Sequence, residues 1–580
     1  MVHTRLSLLD LSPRSNQPFG DRRGRYALIY NGEIYNFREL RSELEEQGVE
    51  FRTSSDTEVL LECLINHGIE GTLPRLEGMF AFALYDKREG LLALARDRFG
   101  IKPLYVYDKD DVFVFASEIR VMRPWVKFEP DILSISSYLQ GFGEPTKGHS
   151  FYKDVKIIAP GTLITLRRGE RARYSCFFSM SDFWDEGQAG ALKGLKPRQI
   201  IDEVDELLLD SVKMQLVADA PVGALCSGGI DSSIMMAMAS KFHNNLAIFH
   251  ANVIGPDSEY EAAAALAKHL KLDLKTVEVL EQDFLDIMPE VTTHYEHPFS
   301  HHPNSVPFLM VSKLVRSNGV KAVLSGEGAD ECFIGYPWLI FNLKSFIRQL
   351  LSQPYPKLHQ SIRRLGGRQS HIPPQDLVCG LHNRFEIAID NEDIRTQVER
   401  TSGRTVRDHD LTSLYQLSYH LRTLLHRNDC LGMAASIEAR FPFLDSRLVK
   451  LAVNMPYPYK VRFSPTVLEK QHYFLRDKWV LRKVAERYLP IELAQREKLG
   501  FRVGTQSRMQ IPAEFFKGLF VADLFGLSRR ETHYLVDHSP QELKLRLLHL
   551  EVWAHVCLHN SPREQIVRRL KEHITISPAT

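Results

Sequence analysis

The chain has 580 residues, too many for one ordinary hydrophobic core, so two or more domains are expected. Lys and Arg total 73 against 72 Asp and Glu, a balance that argues against a nucleic-acid binder, which carries a basic surplus. Seven scattered cysteines without a CxxC pair, a poor signal peptide at MVHTRLSLLDLSPRS and no long apolar run lead to the expectation of a reduced, cytoplasmic protein with no membrane span.

Residues 1 to about 180 read as sheet-rich. Tyr26–Tyr30 and Glu33–Phe37 are apolar runs separated by Asn31-Gly32, the dipeptide that best tolerates positive φ, so a hairpin turn is expected there. Asp56 to Gly68 reads as a helix with Val59, Leu60, Cys63 and Leu64 on one face. MFAFALYD, LLALARD, PLYVYD and VFVFASE follow at short spacing between charged turns, which predicts an antiparallel meander. The stretch 175–197 loses periodicity, collects Gly, Ser and acidic residues, and reads as a linker.

From Arg198 the pattern changes. Ile201, Val204, Leu208 and Val212 recur at helical spacing, and Val222–Cys226 reads as a buried strand. Ser258 with Glu261 suggests a capping box at a helix start near Glu259. Val320–Leu324 reads as a second buried strand after another helical stretch. Strands alternating with helices predict an α/β architecture with a parallel sheet covered on both faces, and beyond residue 337 the pattern is mainly helical.

The sharpest chemical signal is Ser227-Gly228-Gly229-Ile230-Asp231-Ser232-Ser233, set between the strand 222–226 and a helix through Ile234–Ala239. Two glycines let backbone N–H groups close around an anion, and the helix N-terminus adds donors and the positive end of its dipole. Asp231 beside a phosphate requires a divalent cation between them, so Mg²⁺ is implied together with phosphate. The competing reading is a glycine-rich turn in which Asp and Ser only cap the helix. A second loop, Ser325-Gly326-Glu327-Gly328-Ala329-Asp330-Glu331, follows the strand 320–324. Ligands of open parallel sheets bind beyond the carboxyl ends of the strands. Two such loops can therefore face each other across a nucleotide, with Asp231 and Asp330 sharing the metal.

SGGIDSS followed by SGEGADE resembles the synthetase domain of asparagine synthetases. Ser436–Asp445 is similar to that family's S-x-E-A-R-x-P-F-L-D segment, and Arg496-Glu-Lys498-Leu-Gly-Phe501 to its R-x-K-x-G-F. The front half matches through Arg5-Leu6-Ser7, QPF, NGEIYN at 31–36, SDTEVL at 55–60, RLEGMFAFALYD at 75–86 and ARDRFGIKPLY at 95–105. The resemblance covers nearly the whole chain except about 340–410. It implies an N-terminal glutamine amidotransferase type 2-like domain at 1–180, a truncated Ntn-hydrolase-type αββα sandwich. An ATP-pyrophosphatase (PP-loop) synthetase domain at 197–580 follows, with a parallel sheet and a helical C-terminal part.

The implied chemistry is amide formation. ATP activates a carboxylate, aspartate by default, as its acyl-adenylate and pyrophosphate leaves; ammonia or another amine then displaces AMP. Carried over, Ser227, Gly228, Gly229, Asp231 and Ser232 hold the pyrophosphate portion, Cys226, Ala251, Ser325 and Gly326 line the nucleotide, and Asp231 and Asp330 serve Mg²⁺. Lys498 would neutralise charge building on the α-phosphate, a fixed-cation effect of about 3–4 kcal/mol. Glu327 would orient or deprotonate the attacking amine.

Family members that hydrolyse glutamine begin with a nucleophilic cysteine once the initiator Met is removed. Here residue 2 is Val, and the sequence begins inside the family pattern. The amide-pocket residues are nevertheless matched: Arg5 resembles the arginine for the substrate carboxylate, Asn31 and Gly32 the oxyanion-hole pair, and Glu33 and Asp56 the residues holding the amino group. Either an upstream start restores a glutamine-dependent enzyme, or the front domain is a scaffold. For this polypeptide glutamine hydrolysis is expected to be absent, with nitrogen drawn from ammonia, another amine or a partner glutaminase.

The acceptor region also departs from the family. Tyr295-Glu296-His297-Pro298 leads to His301-His302-Pro303-Asn304 in place of D-E-P-x-x-D-x-S, and Arg427–Met433 modifies R-x-D-[RK]-x-S-M. The histidines 294, 297, 301 and 302 lack the cysteine partners or helix-fixed spacing of a metal site. Three alternatives stand beside the ligase. One is an internal-amide synthetase similar to β-lactam synthetases. Another is an RNA-modifying pyrophosphatase, against which the balanced charge weighs. The third is a non-catalytic binder, against which Asp231, Asp330 and Lys498 weigh. The expected partners are a small carboxylate and an amine donor, with no nucleic acid, no membrane, and a homodimer as the assembly.

Overall fold

The computed structural model describes the chain apart from residues 140, 142–147, 244, 256–257, 301, 337–393, 404–405, 408, 464–474, 497–503, 518 and 579–580. Its first part holds two antiparallel sheets. One orders β1 (Phe19–Gly20), β2 (Tyr26–Ile34), β3 (Gly78–Asp86), β4 (Leu91–Arg96), β8 (Thr162–Arg167) and β9 (Arg173–Cys176) as β1-β2-β3-β4-β8-β9. The other places β5 (Tyr105–Lys109) between β6 (Val112–Ala116) and β7 (Val155–Ile157). Alternation along β3 decides the layering. Phe80, Phe82 and Leu84 face Leu40, Leu44, Val59 and Leu60 of the helices Phe37–Glu46 and Asp56–Asn66, while Ala81 and Ala83 face Val106 of the second sheet and Leu104 and Ile158 at its strand ends.

The expected hairpin at Asn31-Gly32 is absent. β2 runs unbroken, and all nine of its residues pair with β3. Gly32 has φ +153°, and a Cβ there would lie 2.0 Å from the Met79 carbonyl oxygen, so the glycine serves a close strand approach rather than a reversal. The expected meander also divides. β4 is flanked by β3 and β8, and β5 and β6 leave for the second sheet. Buried Asp97 redirects the chain between β4 and β5 by accepting from the N–H groups of Phe99, Ile101 and Lys102, each at 3.0 Å. The expected linker at 175–197 is packed rather than loose. Phe183 and Trp184 are buried, and the helix Glu186–Gly194 is capped by Asp185, whose side chain accepts from Gln188 N at 3.0 Å.

The second part is built on a five-stranded parallel sheet, β10 (Val222–Leu225), β11 (Ala247–Val253), β12 (Leu274–Val279), β13 (Ala322–Leu324) and β14 (Glu438–Arg440), in the order β12-β11-β10-β13-β14. Every residue of β13 and β14 is buried, so both faces are covered. The two strands expected from sequence are β10 and β13, and they are direct neighbours, with Val222 opposite Ala322 and Ala224 opposite Leu324. Helix Pro197–Gln215 buries Ile200, Val204, Leu208 and Val212; Ile200 takes the place expected for Ile201. The capping box near residue 259 does not form: helix Tyr260–Leu270 has Glu259 at its N-cap, and Ser258 Oγ accepts from Tyr260 N at 3.2 Å. No helix of the described residues is long and apolar enough to cross a membrane.

Buried polar contacts join the two parts. Lys102 Nζ lies 2.9 Å from Asp429, and Glu296 accepts the N–H groups of Ile119 and Arg120, both at 2.7 Å.

Candidate active site

β10 runs directly into the glycine loop. Cys226 donates its N–H to Phe249 O at 2.8 Å and is buried, which pushes its thiol up to about 12 and keeps it neutral. Gly228 has φ +73°, and a Cβ there would approach Ala262 Cβ to 2.7 Å and Ala263 N to 2.8 Å, so torsion and the neighbouring helix both demand glycine. Ser227 Oγ accepts from Gly229 N at 3.2 Å and lies 3.0 Å from Ser232 Oγ, which donates to Gly229 O at 3.1 Å. Helix Ile230–Ala239 then begins with no side-chain cap on its N-terminus. Its first N–H groups and dipole are suited to an anion.

The second loop meets the first. Ser325 N donates to Arg440 O at 2.8 Å, and a Cβ on Gly326 would lie 3.1 Å from both Asp231 Cβ and Ser232 N. Residues 227–232 and 325–330 are thus in contact at the carboxyl ends of β10 and β13, and Ala251, beyond the end of β10 on β11, borders the same edge.

Asp231 and Asp330 converge on one cation, the ammonium of Lys478. Its Nζ lies 2.6 and 2.5 Å from the two Asp231 oxygens and 2.7 Å from Asp330 Oδ1, and the lysine side chain is wholly buried. Burial opposes the charge, but Asp231 and Asp330 outweigh it and hold the ammonium's pKa above the ordinary lysine value. Gly335 leaves room for the arrangement: a Cβ there would sit 1.8 Å from Asp330 Oδ1 and 2.0 Å from Lys478 Cε. Sequence reading missed Lys478. The available signal was the demand of two facing acids for a cation. Lys498 lies outside the described residues; Arg496, two positions earlier, donates to Gly228 O at 3.2 Å.

Glu327 accepts from the guanidinium of Arg427 and, at 3.5 Å, from Asn428 Nδ2; Arg427 also donates to Asn304 Oδ1 at 2.8 Å. Behind it, Glu331 is wholly buried, takes a 2.6 Å hydrogen bond from Tyr336 OH, and is pushed up to about 8 by burial and the charges of Asp330 and Glu327. His297 stacks between Phe151 and His426, and His294 Nδ1 lies 3.2 Å from Arg120 Nη1, so these two rings serve packing and local contacts.

In the first part, Arg5, Asn31, Gly32, Glu33 and Asp56 all line one cavity of about 50 Å³, with Glu438 and Met433 of the second part on its wall; no cysteine is among its described lining residues. Arg5 donates to the carbonyls of Leu9 at 2.7 Å and Asp10 at 2.6 Å. Asp56 accepts from Tyr30 OH at 2.8 Å and Ile34 N at 3.1 Å, and burial raises its pKa. Burial raises that of Glu33 further, with Asp56 adding and Arg440 opposing.

The family model described as asparagine synthase matches residues 203–541, and that of the glutamine amidotransferase domain matches residues 1–177. The chain is 30% identical over 537 residues to asparagine synthetase [glutamine-hydrolyzing] 1 of Bacillus subtilis, covering 86% of this chain and 79% of the relative. It is 30% identical over 542 residues to a putative asparagine synthetase [glutamine-hydrolyzing] of Mycobacterium tuberculosis, covering 86% and 78%. It is 26% identical over 565 residues to amidase chry2 of Gibberella zeae, covering 86% and 80%. With a family match across more than half its length and touching glycine loops that suit an ATP phosphate tail, this chain belongs to the asparagine synthetase family of ATP-dependent, AMP-forming carbon–nitrogen ligases.

Proposed function

We propose that the chain adenylates a small carboxylate, aspartate by default, and transfers ammonia or an amine to it, with 1–180 as the amidotransferase-like domain and 197–580 as the synthetase domain. The observation that carries this reading is the contact between the two glycine loops with Asp231 and Asp330 aimed at one cationic point. Ser227, Gly228, Gly229 and Ser232 hold the pyrophosphate portion through backbone N–H and hydroxyl donors. Cys226, Ala251, Ser325 and Gly326 border the nucleotide with small uncharged surfaces. Two hard carboxylates already gripping a cation at 2.5–2.7 Å fit Mg²⁺, which Asp231 and Asp330 would hold and which would supply neutralisation of phosphate charge. Lys498 is assigned the α-phosphate, as the family resemblance implies.

Glu327 stands on the acceptor side, where its carboxylate receives the attacking amine while Arg427 fixes its orientation. The nitrogen reaches the activated carboxylate as ammonia or another amine, and a comparison of ammonia with glutamine as donors decides its source.

A second reading is amide formation on a non-aspartate carboxylate, including an internal amide. It is supported by Asn304, which binds Arg427 from a segment where the family's acidic and hydroxyl residues have no counterparts. It is also supported by the similarity to a protein named as an amidase. The test is ATP-to-pyrophosphate exchange over a panel of carboxylic acids, with ammonia and glutamine compared as donors. Exchange with at least one acid and amide formation from ammonia are expected. A cyclic product formed without ammonia would select the internal amide. Asp231→Asn should nearly abolish exchange, and unchanged exchange would reject the metal assignment.

A further inference from the structure

We infer that Lys478 is a resident cation that occupies the metal's place between Asp231 and Asp330 until a nucleotide arrives, making metal entry depend on the triphosphate. This rests on reading the two glycine loops as a nucleotide site. The geometry is that of an occupied cation position. One ammonium touches both oxygens of Asp231 at 2.6 and 2.5 Å and Asp330 at 2.7 Å, and its side chain is 0% exposed. The carboxylates themselves remain 17% and 15% exposed, so their open side is the one a ligand reaches.

Charge then decides the order of binding. Two carboxylates balance all but one unit of a divalent cation and a lysine together, and crowding both cations onto two acids is repulsive at these distances. Without phosphate, a divalent ion must therefore displace the buried ammonium from the two acids that outweigh its burial. A triphosphate removes that penalty, because its oxygens accept the ammonium as it leaves the acids. Lysine suits the exchange, being a compact point charge with rotatable donors on a four-carbon stem. Its root is held: Lys478 has φ 46° and ψ 38° at the start of helix Trp479–Ala485, and Gly335 leaves the gap its stem passes through. A purely structural ion pair would behave oppositely, since removing it would disorder both acids and weaken metal binding.

The experiment measures Mn²⁺ binding to the full chain by electron paramagnetic resonance, with and without ATP, in wild type, Lys478→Met and Lys478→Gln, using Asp231→Asn as the blank. Without nucleotide, both lysine variants should bind Mn²⁺ at least tenfold more tightly than wild type, and with ATP that advantage should vanish. Equal or weaker Mn²⁺ binding by folded variants without ATP would overturn the placeholder role. Thermal melting of wild type alone gives a check that needs no variant: Mn²⁺ should leave Tm unchanged without ATP and raise it with ATP, and an equal rise in both cases would overturn the inference. If wild type with saturating ATP binds no more Mn²⁺ than Asp231→Asn, the nucleotide-site reading itself fails.

Discussion

Arg440 of β14 sets its Nη2 3.4 Å from Glu33 Oε1 in β2, while its own carbonyl oxygen accepts the N–H of Ser325 at 2.8 Å. One residue thus touches Glu33, on the wall of the first part's cavity, with its side chain and the second glycine loop with its backbone. The guanidinium is wholly buried, pairs with Glu438 at 3.1 Å, and donates to Gln215 O at 2.8 Å and Val217 O at 2.7 Å. Replacing it with methionine removes the cation paired with buried Glu33 and leaves Glu438 only Lys102 Nζ at 3.6 Å, and breaking a buried pair costs about 3–5 kcal/mol. Arg440→Met should lower stability in urea by that amount. Arg440→Lys should recover only part of it, because an ammonium cannot reproduce the fork that spans both carbonyls and Glu438. A loss of under 1 kcal/mol for the methionine variant would show that the junction does not depend on this charge.

Glu296 supplies a pH dependence. Burial pushes its carboxyl up to about 7 against the backbone N–H bonds of Arg120 and Ile119, from an ordinary 4.5. Between those values the native state holds more protons than the unfolded chain, so this group's contribution to stability falls as pH rises from about 4.5 to 7 and then levels. One group imposes at most about 1.4 kcal/mol per pH unit in that window. Urea unfolding from pH 5 to 8 should show wild type losing stability relative to Glu296→Gln as pH rises. Parallel curves would exclude the effect.

Gly32 offers a test of strand packing. A methyl group there would lie 2.0 Å from Met79 O and 2.8 Å from Phe80 Cα, and φ is +153°, so neither the backbone nor the neighbour accommodates it. Gly32→Ala should lower Tm by several degrees or leave the chain insoluble, whereas Gly24→Ala, with nothing within 4 Å of its added methyl, meets no such clash although it shares the positive-φ strain. Equal effects from the two substitutions would mean that torsion rather than close approach governs position 32.

What could be read from the sequence was whatever chemistry lies within one short run. The two glycine loops carry glycines, hydroxyls and acids between a strand and a helix, so Ser227–Asp231 and Ser325–Asp330 are legible without their contact. Lys478 was not, because it sits 247 residues from Asp231 and follows no local pattern. β14 was missed for a related reason. Glu438-Ala439-Arg440 is a buried strand with two charged residues, which hydrophobic patterning passes over, and its charges are tolerated because Arg440 pairs with both Glu438 and Glu33. Asn31-Gly32 misled in the opposite direction. The local signal for positive φ was correct, but the partner strand β3 turned it into a close approach instead of a turn.

The role proposed for Glu327 separates the two halves of the proposed reaction. Its carboxylate is 23% exposed at the cleft while Arg427, 4% exposed, holds one oxygen from behind. Adenylation needs the phosphate loops but not this carboxylate; amine attack needs an acceptor for the ammonium's protons as the new bond forms. Glu327→Gln keeps the shape and the hydrogen bond from Asn428 but removes the charge, leaving Arg427 to Asn304 and the Phe308 ring. ATP-to-pyrophosphate exchange should stay within roughly threefold of wild type, whereas amide formation from ammonia should fall by about 10²-fold or more, the lower range for loss of a general base. Thermal melting of the same preparation guards against a folding defect. If exchange and amide formation fall together in a folded variant, Glu327 acts on the nucleotide side and its assignment to the amine is wrong.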